Sequence, residues 1–320
     1  MNNYPIISVV MSVFNGEDYL REAIESILFQ TYTDFEFIIV NDGSTDKSLE
    51  IIKSYDDDRI IVIDQKNIGL SKSLNKGVAA SKGEFIARMD ADDICHRDRF
   101  QVQVDFLINN RDCVVVGSNA CYIDMVGNIL YFSDCLSEWN EIKKVLPKSP
   151  FFHSSTMFSK EAFEKVGGYY DEIPQFFEDQ ILWNRLSKVG ELWNLKQALL
   201  SYRIVPGSIT AGKIAVKNTN EICQEIIVSN KTSRVNIDYI NSNRMPKMKP
   251  RVKYGYYYLR LGKIYLEHNF NRKKAAMMLF KSLRLMPLNA TSWFNLGLVL
   301  LPKKIVYEWK KSRGVYKYPW

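Results

Sequence analysis

Short apolar runs and amphipathic helices alternate along the first third of the chain. Four runs rich in β-branched and aromatic residues have the composition of strands that are covered on both faces: 6–13, 35–40, 60–63 and 84–89. The segments between them repeat apolar residues at helical spacing, as Leu20, Ile24 and Ile27 do. This alternation predicts a doubly wound parallel sheet, on which ligands bind at the carboxyl ends of the strands.

The pattern becomes less regular after residue 97 and purely helical after residue 210. Periodicity predicts helices at 97–109, 137–146 and 178–189, strands at 113–118 and 152–158, one or two strands within 192–203, and a hairpin around 125–128. We therefore predict an α/β domain at 1–212 with halves that divide at residue 100, a helical linker at 213–250 and a helical region at 251–320.

The last helical region contains the beginning of a repeat. Tyr258, Leu261, Gly262 and Tyr265 have the spacing that opens a tetratricopeptide repeat, and Trp293 begins a second such start. About three repeats are needed for a stable solenoid, so one and a half predict a helical hairpin. The hairpin packs on the α/β domain in one interpretation and is a docking module in the other.

Charge and cysteine content restrict the partners and the location. The net charge is +7, yet residues 244–320 hold 18 lysines and arginines against two acids. This segment favours peripheral contact with an anionic membrane or phosphorylated lipid, although a solvated basic surface has the same composition. No nucleic-acid motif accompanies the charge, so nucleic acid is not expected. The five cysteines have no spacing typical of a disulfide framework, and no signal peptide is recognised, which predicts a cytoplasmic protein. No apolar run reaches the ~18–20 residues that span a bilayer, so membrane contact is expected to be peripheral, on the inner face.

Three carboxylates in four residues follow the fourth predicted strand, at Asp90, Asp92 and Asp93. Residues two apart on a strand face the same side, so Asp90 and Asp92 would line the ligand crevice together. Clustered carboxylates repel one another unless a cation lies between them, and Mg²⁺ or Mn²⁺ takes carboxylate and phosphate oxygens. The cluster predicts a metal–diphosphate site; an acidic turn that caps the next helix is the alternative.

Four motifs occur in a fixed order at 7–15, 41–46, 67–71 and 89–93, including Asn41-Asp42-Gly43-Ser44 and Asp90-Ala91-Asp92-Asp93. Together they resemble glycosyltransferase family 2, whose members have the GT-A fold, a Rossmann-like, mostly parallel sheet that binds nucleotide-sugars. The variant at 87–94, with Arg99 and Gln103 after it, is similar to bacterial enzymes that build capsules, exopolysaccharides and O-antigens. Arg97 stands where that subgroup carries proline. The resemblance implies a nucleotide-binding half at 1–100 and an acceptor half at 101–212.

The resemblance assigns nucleotide contacts to residues at the ends of the first four strands. Asp42 would accept a hydrogen bond from the base imide, which favours uracil because a carboxylate accepts but cannot donate. Asp92 would bind the metal, Mn²⁺ or Mg²⁺, and Asp90 the metal or the ribose. The other contacts to base, ribose or diphosphate are assigned to Phe14, Asn15, Glu17, Asn67 and Lys72.

An acidic pair at the start of a predicted helix resembles the pair that supplies the family's catalytic base. Asp179 is the candidate base that takes the proton of the acceptor hydroxyl; an acidic first turn favoured by the helix dipole is the alternative. Glu178 and His153 are assigned to the acceptor or the diphosphate, and Arg203 to the diphosphate. Val205 stands where many members carry a histidine, so that contact is lost or replaced.

The resemblance implies an inverting, metal-dependent transferase. It would move a hexose or N-acetylhexosamine from a UDP-sugar to a glycan acceptor linked to polyprenyl diphosphate, in surface polysaccharide biosynthesis. A sugar nucleotidyltransferase is one alternative, but the Gly-rich basic loop of that class is missing at 12–17. An inactive scaffold that binds nucleotide-sugars is another, against which the intact Asp90, Asp92 and Asp179 argue.

Overall fold

The computed structural model describes residues 6–146, 148–172, 177–206, 219–229, 231–234 and 248–312. These residues form two compact units. The first contains 6–120, 135–202 and the described parts of 219–234, and the second contains 121–134, 203–206 and 248–312. The predicted domain boundary at residue 212 and part of the predicted linker lie outside the described residues.

The first unit begins with four parallel strands. They are β1 (Ile7–Val13), β2 (Phe35–Asp42), β3 (Ile60–Gln65) and β4 (Phe85–Met89), in the order β3-β2-β1-β4. Ile7 lies opposite both Phe35 and Phe85. The strands alternate with the helices α1 (Leu20–Leu28), α2 (Ser48–Lys53) and α3 (Leu70–Ala80). Every residue of β2 and β4 is buried, as strands covered on both faces require. The predicted alternation is confirmed for this half.

Beyond β4 the sheet continues with antiparallel strands. The later strands are β5 (Ile94–Cys95), β6 (Cys113–Ile123), β7 (Ile129–Phe132), β8 (Met157–Ser159) and β9 (Glu191–Arg203). β8 pairs antiparallel with both β4 and β6, and β5 with β9, so that the order runs β3-β2-β1-β4-β8-β6-β9-β5. The helices are α4 (Arg99–Asn109), α5 (Trp139–Val145), α6 (Lys160–Lys165), α7 (Glu178–Leu186) and α8 (Thr219–Ser229).

The strand predicted at 152–158 is wrong. His153–Ser155 forms a 3₁₀ turn, and only the short β8 follows it. The reason is that the carbonyls of Ser154 and Ser155 accept hydrogen bonds from the Arg99 and Gln103 side chains of α4, and the strand pairing with β4 begins only at Thr156, whose carbonyl accepts from both Arg99 and Arg88 N. Other boundaries also shift. β6 continues beyond 118 to become the first arm of the predicted hairpin, 192–203 is part of a single strand, and α5 and α7 are shorter than predicted.

Helices pack closely on the parallel half of the sheet. Gly77 allows α3 to lie directly on β1, since a Cβ at this position would be 2.5 Å from Cγ1 of Val10. Trp183 of α7 is fully buried in the same apolar cluster as Val10 of β1 and Phe158 of β8. The core thus fixes the start of α7 relative to β4 and β8, which positions the acidic pair of that helix.

In its described residues, the second unit combines the predicted hairpin with four helices. β7 pairs with the end of β6, and α9 (Pro250–Glu267), α10 (Arg272–Leu285), α11 (Ala290–Val299) and α12 (Lys303–Ser312) follow. The hairpin and α9 are joined by a hydrogen bond from Met125 N to Tyr257 Oη, at 3.1 Å. Tyr131 of β7 also stacks on His268, with ring centroids 3.8 Å apart.

The first two helices of the second unit, α9 and α10, pack against each other. Gly262, in the repeat-like segment, brings α9 against α10, where a Cβ would lie 2.6 Å from Cγ of Leu279. Asn271 and Asn289 cap the next two helices by accepting from backbone N–H groups three residues on. Among the described helices, none combines the length and the apolar composition that crossing a bilayer demands.

Candidate active site

The loops after β1 and β2 are joined by side chains that the sequence assigned to the nucleotide. Asn15, at φ 53°, accepts from Thr45 N at 2.8 Å. Glu17 Oε2 accepts from Lys47 N at 2.9 Å, at the start of α2. Phe14 lies in the same rim and is exposed. These bonds connect the two loops, and the contacts of the three residues with a nucleotide stay predictions.

Asp42 ends β2 and organises the loop before α3. Its carboxylate accepts from Ile68 N at 2.8 Å, from Gly69 N at 2.9 Å and from Gln65 Nε2 at 3.0 Å. A carboxylate has about four acceptor positions, so these bonds leave room for roughly one more donor. The side chain is buried, and its bond to a base imide stays a prediction.

The start of α3 presents the other residues assigned to ribose or diphosphate. Asn67 and Lys72 are both exposed there. Gly43, at φ 72°, lets the loop after β2 approach this segment, because a Cβ would lie 2.5 Å from Asn67 N. A helix N-terminus with a nearby lysine suits an anion such as a diphosphate. The structure brings these two side chains to the strand-end rim, as the sequence predicts.

The three carboxylates after β4 come together. Ligand oxygens of Asp90, Asp92 and Asp93 all lie within 4.8 Å of one another. Mg²⁺ binds oxygens at about 2.0–2.1 Å, so oxygens on opposite sides of one ion are ~4 Å apart and small side-chain movements suffice. Asp93 is buried and accepts from Ser154 Oγ, whereas Asp90 and Asp92 are half-buried. The donor set therefore fits a divalent ion, with Asp90 and Asp92 as its accessible ligands.

A buried cation that the sequence analysis left without a role lies beside this cluster. Arg88 of β4 is 3% exposed and forms an ion pair with Asp90. Burial acts to lower the pKa of Arg88, but the Asp90 carboxylate outweighs it and the pKa is raised. The pair holds the Asp90 carboxylate in place and neutralises part of the cluster's charge. A lone arginine in an otherwise apolar strand, two residues before an acidic motif, is the signal that could have found it.

A second buried arginine fixes the backbone around the cluster. Arg99 of α4 donates to the carbonyls of Arg88 and Thr156 at 2.9 Å and of Ser154 at 2.8 Å. Its Nε donates to Gln103 Oε1 at 2.9 Å, one turn further along α4. The Arg99 side chain thereby joins the backbone of Arg88, two residues before the acidic motif, to the 3₁₀ turn whose Ser154 donates to Asp93. Two polar residues four apart on the inward face of a helix were the available signal.

His153 lies in this turn and pairs with a tyrosine. His153 Nε2 and Tyr169 Oη are 2.7 Å apart, and Asn75 exchanges two hydrogen bonds of 2.9 Å with the backbone of Tyr169. Burial, together with the positive charge of Arg88, holds the pKa of His153 well below its usual range. The imidazole is therefore neutral at pH 7. Its contact with acceptor or diphosphate stays a prediction.

The acidic pair occupies the first turn of α7, as predicted. Burial, reinforced by the adjacent Asp179, raises the pKa of Glu178 to about 7. Burial also raises the pKa of Asp179, whose Oδ1 accepts from Gln180 N at 2.7 Å. Arg88 acts on both carboxyls in the opposite direction. Asp90 further raises the pKa of Glu178, so the acidic pair and the carboxylate cluster belong to one charged neighbourhood.

Comparison with known proteins identifies the family. The sequence profile of glycosyl transferase family 2 matches residues 8–167, half of the chain. The chain belongs to glycosyltransferase family 2. An uncharacterized glycosyltransferase of Methanocaldococcus jannaschii is 39% identical over 208 residues, which are 62% of this chain and 71% of that protein. The putative glycosyltransferase EpsE of Bacillus subtilis is 36% identical over 209 residues, 63% and 74% of the two chains. An uncharacterized glycosyltransferase of Rickettsia typhi is 32% identical to this chain over 211 residues, and the matched region covers 65% of the length of that relative.

Solved structures agree with the fold of a family 2 glycosyltransferase. The structure of residues 1–349 of S. aureus TarS, in complex with UDP-GlcNAc, has a TM-score of 0.58 over 94% of this chain and 91% of that one. The two sequences are 16% identical, so the likeness concerns the fold. The predicted GT-A architecture with a helical C-terminal region is confirmed.

Arg203 and Val205 lie in the second unit. Arg203 is buried there, and its Nη1 donates to the Met125 carbonyl at 3.5 Å. Val205, where the family histidine is replaced, is half-buried. The contact of Arg203 with a diphosphate stays a prediction.

Proposed function

We propose that this glycosyltransferase moves a hexose or N-acetylhexosamine from a UDP-sugar to a glycan hydroxyl, with inversion, in the presence of Mn²⁺ or Mg²⁺. The observation that carries the proposal is the clustering of Asp90, Asp92 and Asp93 at the carboxyl end of β4, within 4.8 Å. Strand ends of this kind are where sheets with this topology bind nucleotides. The choice of uracil is supported by Asp42, which can only accept when ionised.

Each part of the reaction has a candidate side chain. A bound divalent ion would offset the charge of the departing diphosphate, and Asp92 and Asp90 would hold it. Asp179 takes the proton of the acceptor hydroxyl as the new bond to the anomeric carbon forms. The bond from that carbon to the diphosphate oxygen breaks, and the electron pair leaves with UDP. One base and no separate nucleophile give a single displacement, hence inversion.

The environment of Asp179 suits a general base. A base acts best when its pKa approaches the working pH, and burial raises the pKa of Asp179 in that direction. The positive charge of Arg88 acts against this rise in pKa, because it favours the ionised carboxylate. The acceptor is proposed to be a glycan on polyprenyl diphosphate, made during surface polysaccharide synthesis. The basic second unit supports this choice, because a lipid diphosphate and an anionic membrane both attract it.

A donor screen tests the proposal. UDP-, GDP- and dTDP-sugars are each incubated with the full-length protein and Mn²⁺ or Mg²⁺, and release of the nucleoside diphosphate is measured. We expect one UDP-sugar to be turned over, and EDTA to abolish the turnover. Asp179→Asn should lower it by about 10²–10⁴-fold with little change in donor binding. The control is Asp98→Asn, which replaces an exposed carboxylate outside the cluster.

Two outcomes would count against the proposal. Turnover that persists in EDTA would remove the metal from the mechanism. Donor binding without turnover in wild type and Asp179→Asn alike would instead favour the inactive scaffold.

A further inference from the structure

The helix α11 has apolar residues on both its buried and its exposed side. Leu298 and Val299 are buried together with Ser292 and Asn295, whereas Trp293 is 55% exposed and Leu300, at the helix end, 83% exposed. The inner polar groups have partners, since Ser292 Oγ lies 2.9 Å from Ser282 Oγ. A helix that faces only water carries polar residues on its outer side, so the outer side of α11 has the composition of a contact surface.

The exposed apolar residues share one side of α11. At about 100° per residue, Trp293, Phe294 and the C-cap residue Leu300 fall within roughly one third of the helix circumference, and Leu301 follows the helix directly. All four are exposed. Gly297 lies in the middle of this arc, and a Cβ there would meet no atom within 4 Å. We call these four side chains the apolar face.

Exposed cations follow the apolar face along the chain and occur on the neighbouring helix. Lys303 and Lys304 follow it directly along the chain and are exposed. On the neighbouring α10, Lys281 and Arg284 are also exposed. Residues 248–312 hold 14 lysines and arginines against two acids. Apolar side chains that include tryptophan, flanked by cations, are the composition of a helix that lies in the headgroup layer of a membrane.

We propose that the apolar face inserts into the headgroup region of an anionic phospholipid bilayer, while the flanking lysines and arginines contact lipid phosphates. Charge decides between possible occupants. A second copy would bring an equally basic surface against this one, so repulsion opposes a symmetric dimer. An anionic bilayer is complementary to both features at once. The proposal rests on the proposed function, because docking would bring the enzyme to a lipid-linked acceptor. Vesicle binding is measured without donor or acceptor, so its result is independent of whether the transfer reaction occurs.

The test is flotation of the full-length protein with vesicles of two compositions. One set contains phosphatidylcholine alone and the other phosphatidylcholine with phosphatidylglycerol. The variant is Trp293→Ser combined with Leu300→Ser. The matched control is Phe29→Ser combined with Val228→Ser, two exposed apolar residues of the first unit. Thermal unfolding and sedimentation of each protein report folding and oligomeric state.

We expect wild type and control to float with the anionic vesicles, weakly with the neutral ones, and less as salt is raised. The double variant should lose at least about tenfold in partitioning, with its thermal midpoint unchanged. Equal flotation of wild type and double variant, or flotation of neither, would overturn the proposal. So would a wild-type dimer that the double variant dissociates, because the face would then bind a second copy.

Discussion

Replacing Arg99 with methionine removes the donor group that joins β4 to the turn at His153–Ser155. Methionine fills much of the same volume, so the change mainly deletes hydrogen bonds. The Thr156 carbonyl keeps a second donor, Arg88 N at 3.0 Å. The carbonyls of Arg88 and Ser154 lose the guanidinium that now bonds them at 2.9 and 2.8 Å, and Gln103 Oε1 loses its donor.

The expected cost follows from these three acceptors. A buried polar atom that loses its partner costs about 1–3 kcal/mol, which gives roughly 3–9 kcal/mol before compensation. Removing a buried cation returns part of this, because burial itself lowers the pKa of Arg99 and so opposes its charge. We therefore expect a loss of about 2–5 kcal/mol in the free energy of unfolding. Whole domains are stable by only about 5–15 kcal/mol, so the effect should be large.

Urea unfolding of the Arg99→Met variant measures this loss. Arg97→Met is the matched control, because Arg97 lies two residues away with a side chain that is 73% exposed. The control should change stability by less than about 0.5 kcal/mol. If Arg99→Met and Arg97→Met unfold at the same urea concentration, the buried arginine does not hold this part of the fold and the reasoning is refuted.

Four further substitutions test other parts of the structure. Gly77→Ala should destabilise the fold by about 1–3 kcal/mol, since its Cβ would lie 2.5 Å from a β1 valine. Gly297→Ala should not destabilise it, because a Cβ there meets no atom within 4 Å. Thermal unfolding of both variants measures the difference. Because the pKa of Glu178 is raised from 4.5 to about 7, its contribution to stability is complete below 4.5 and is lost as the pH rises through about 7. Glu178→Gln should flatten that decline in unfolding measurements across this range, and an unchanged pH profile would contradict it. Ser154→Ala should cost about 1–3 kcal/mol, because buried Asp93 loses a donor, and calorimetry showing no loss would argue against this.

The parallel half of the fold could be predicted because local pattern determines it. Buried parallel strands are continuous apolar runs, and the runs at β1 and β2 appear in the sequence as such. The acidic cluster could be predicted for the same reason, since Asp90, Asp92 and Asp93 are adjacent in the chain. Neither prediction required knowledge of distant contacts.

What could not be predicted depends on side chains that meet across long separations. The segment 152–158 has strand composition, but Arg99, more than 50 residues earlier, bonds its carbonyls and turns it. Likewise the hairpin at 121–134 groups with the C-terminal helices because Tyr257 and His268, over 100 residues later, contact it. No periodicity within either segment reports such a partner.

Binding of Mn²⁺, followed by electron paramagnetic resonance in the presence of UDP, tests the central claim most directly. Wild type should hold one Mn²⁺ per chain, and the exposed-site control Asp98→Asn should bind it equally well. Asp92→Asn should weaken binding by at least about tenfold, because a charged oxygen ligand is lost. Equal Mn²⁺ affinity in wild type and Asp92→Asn would contradict the assignment of the carboxylates after β4 as the metal site.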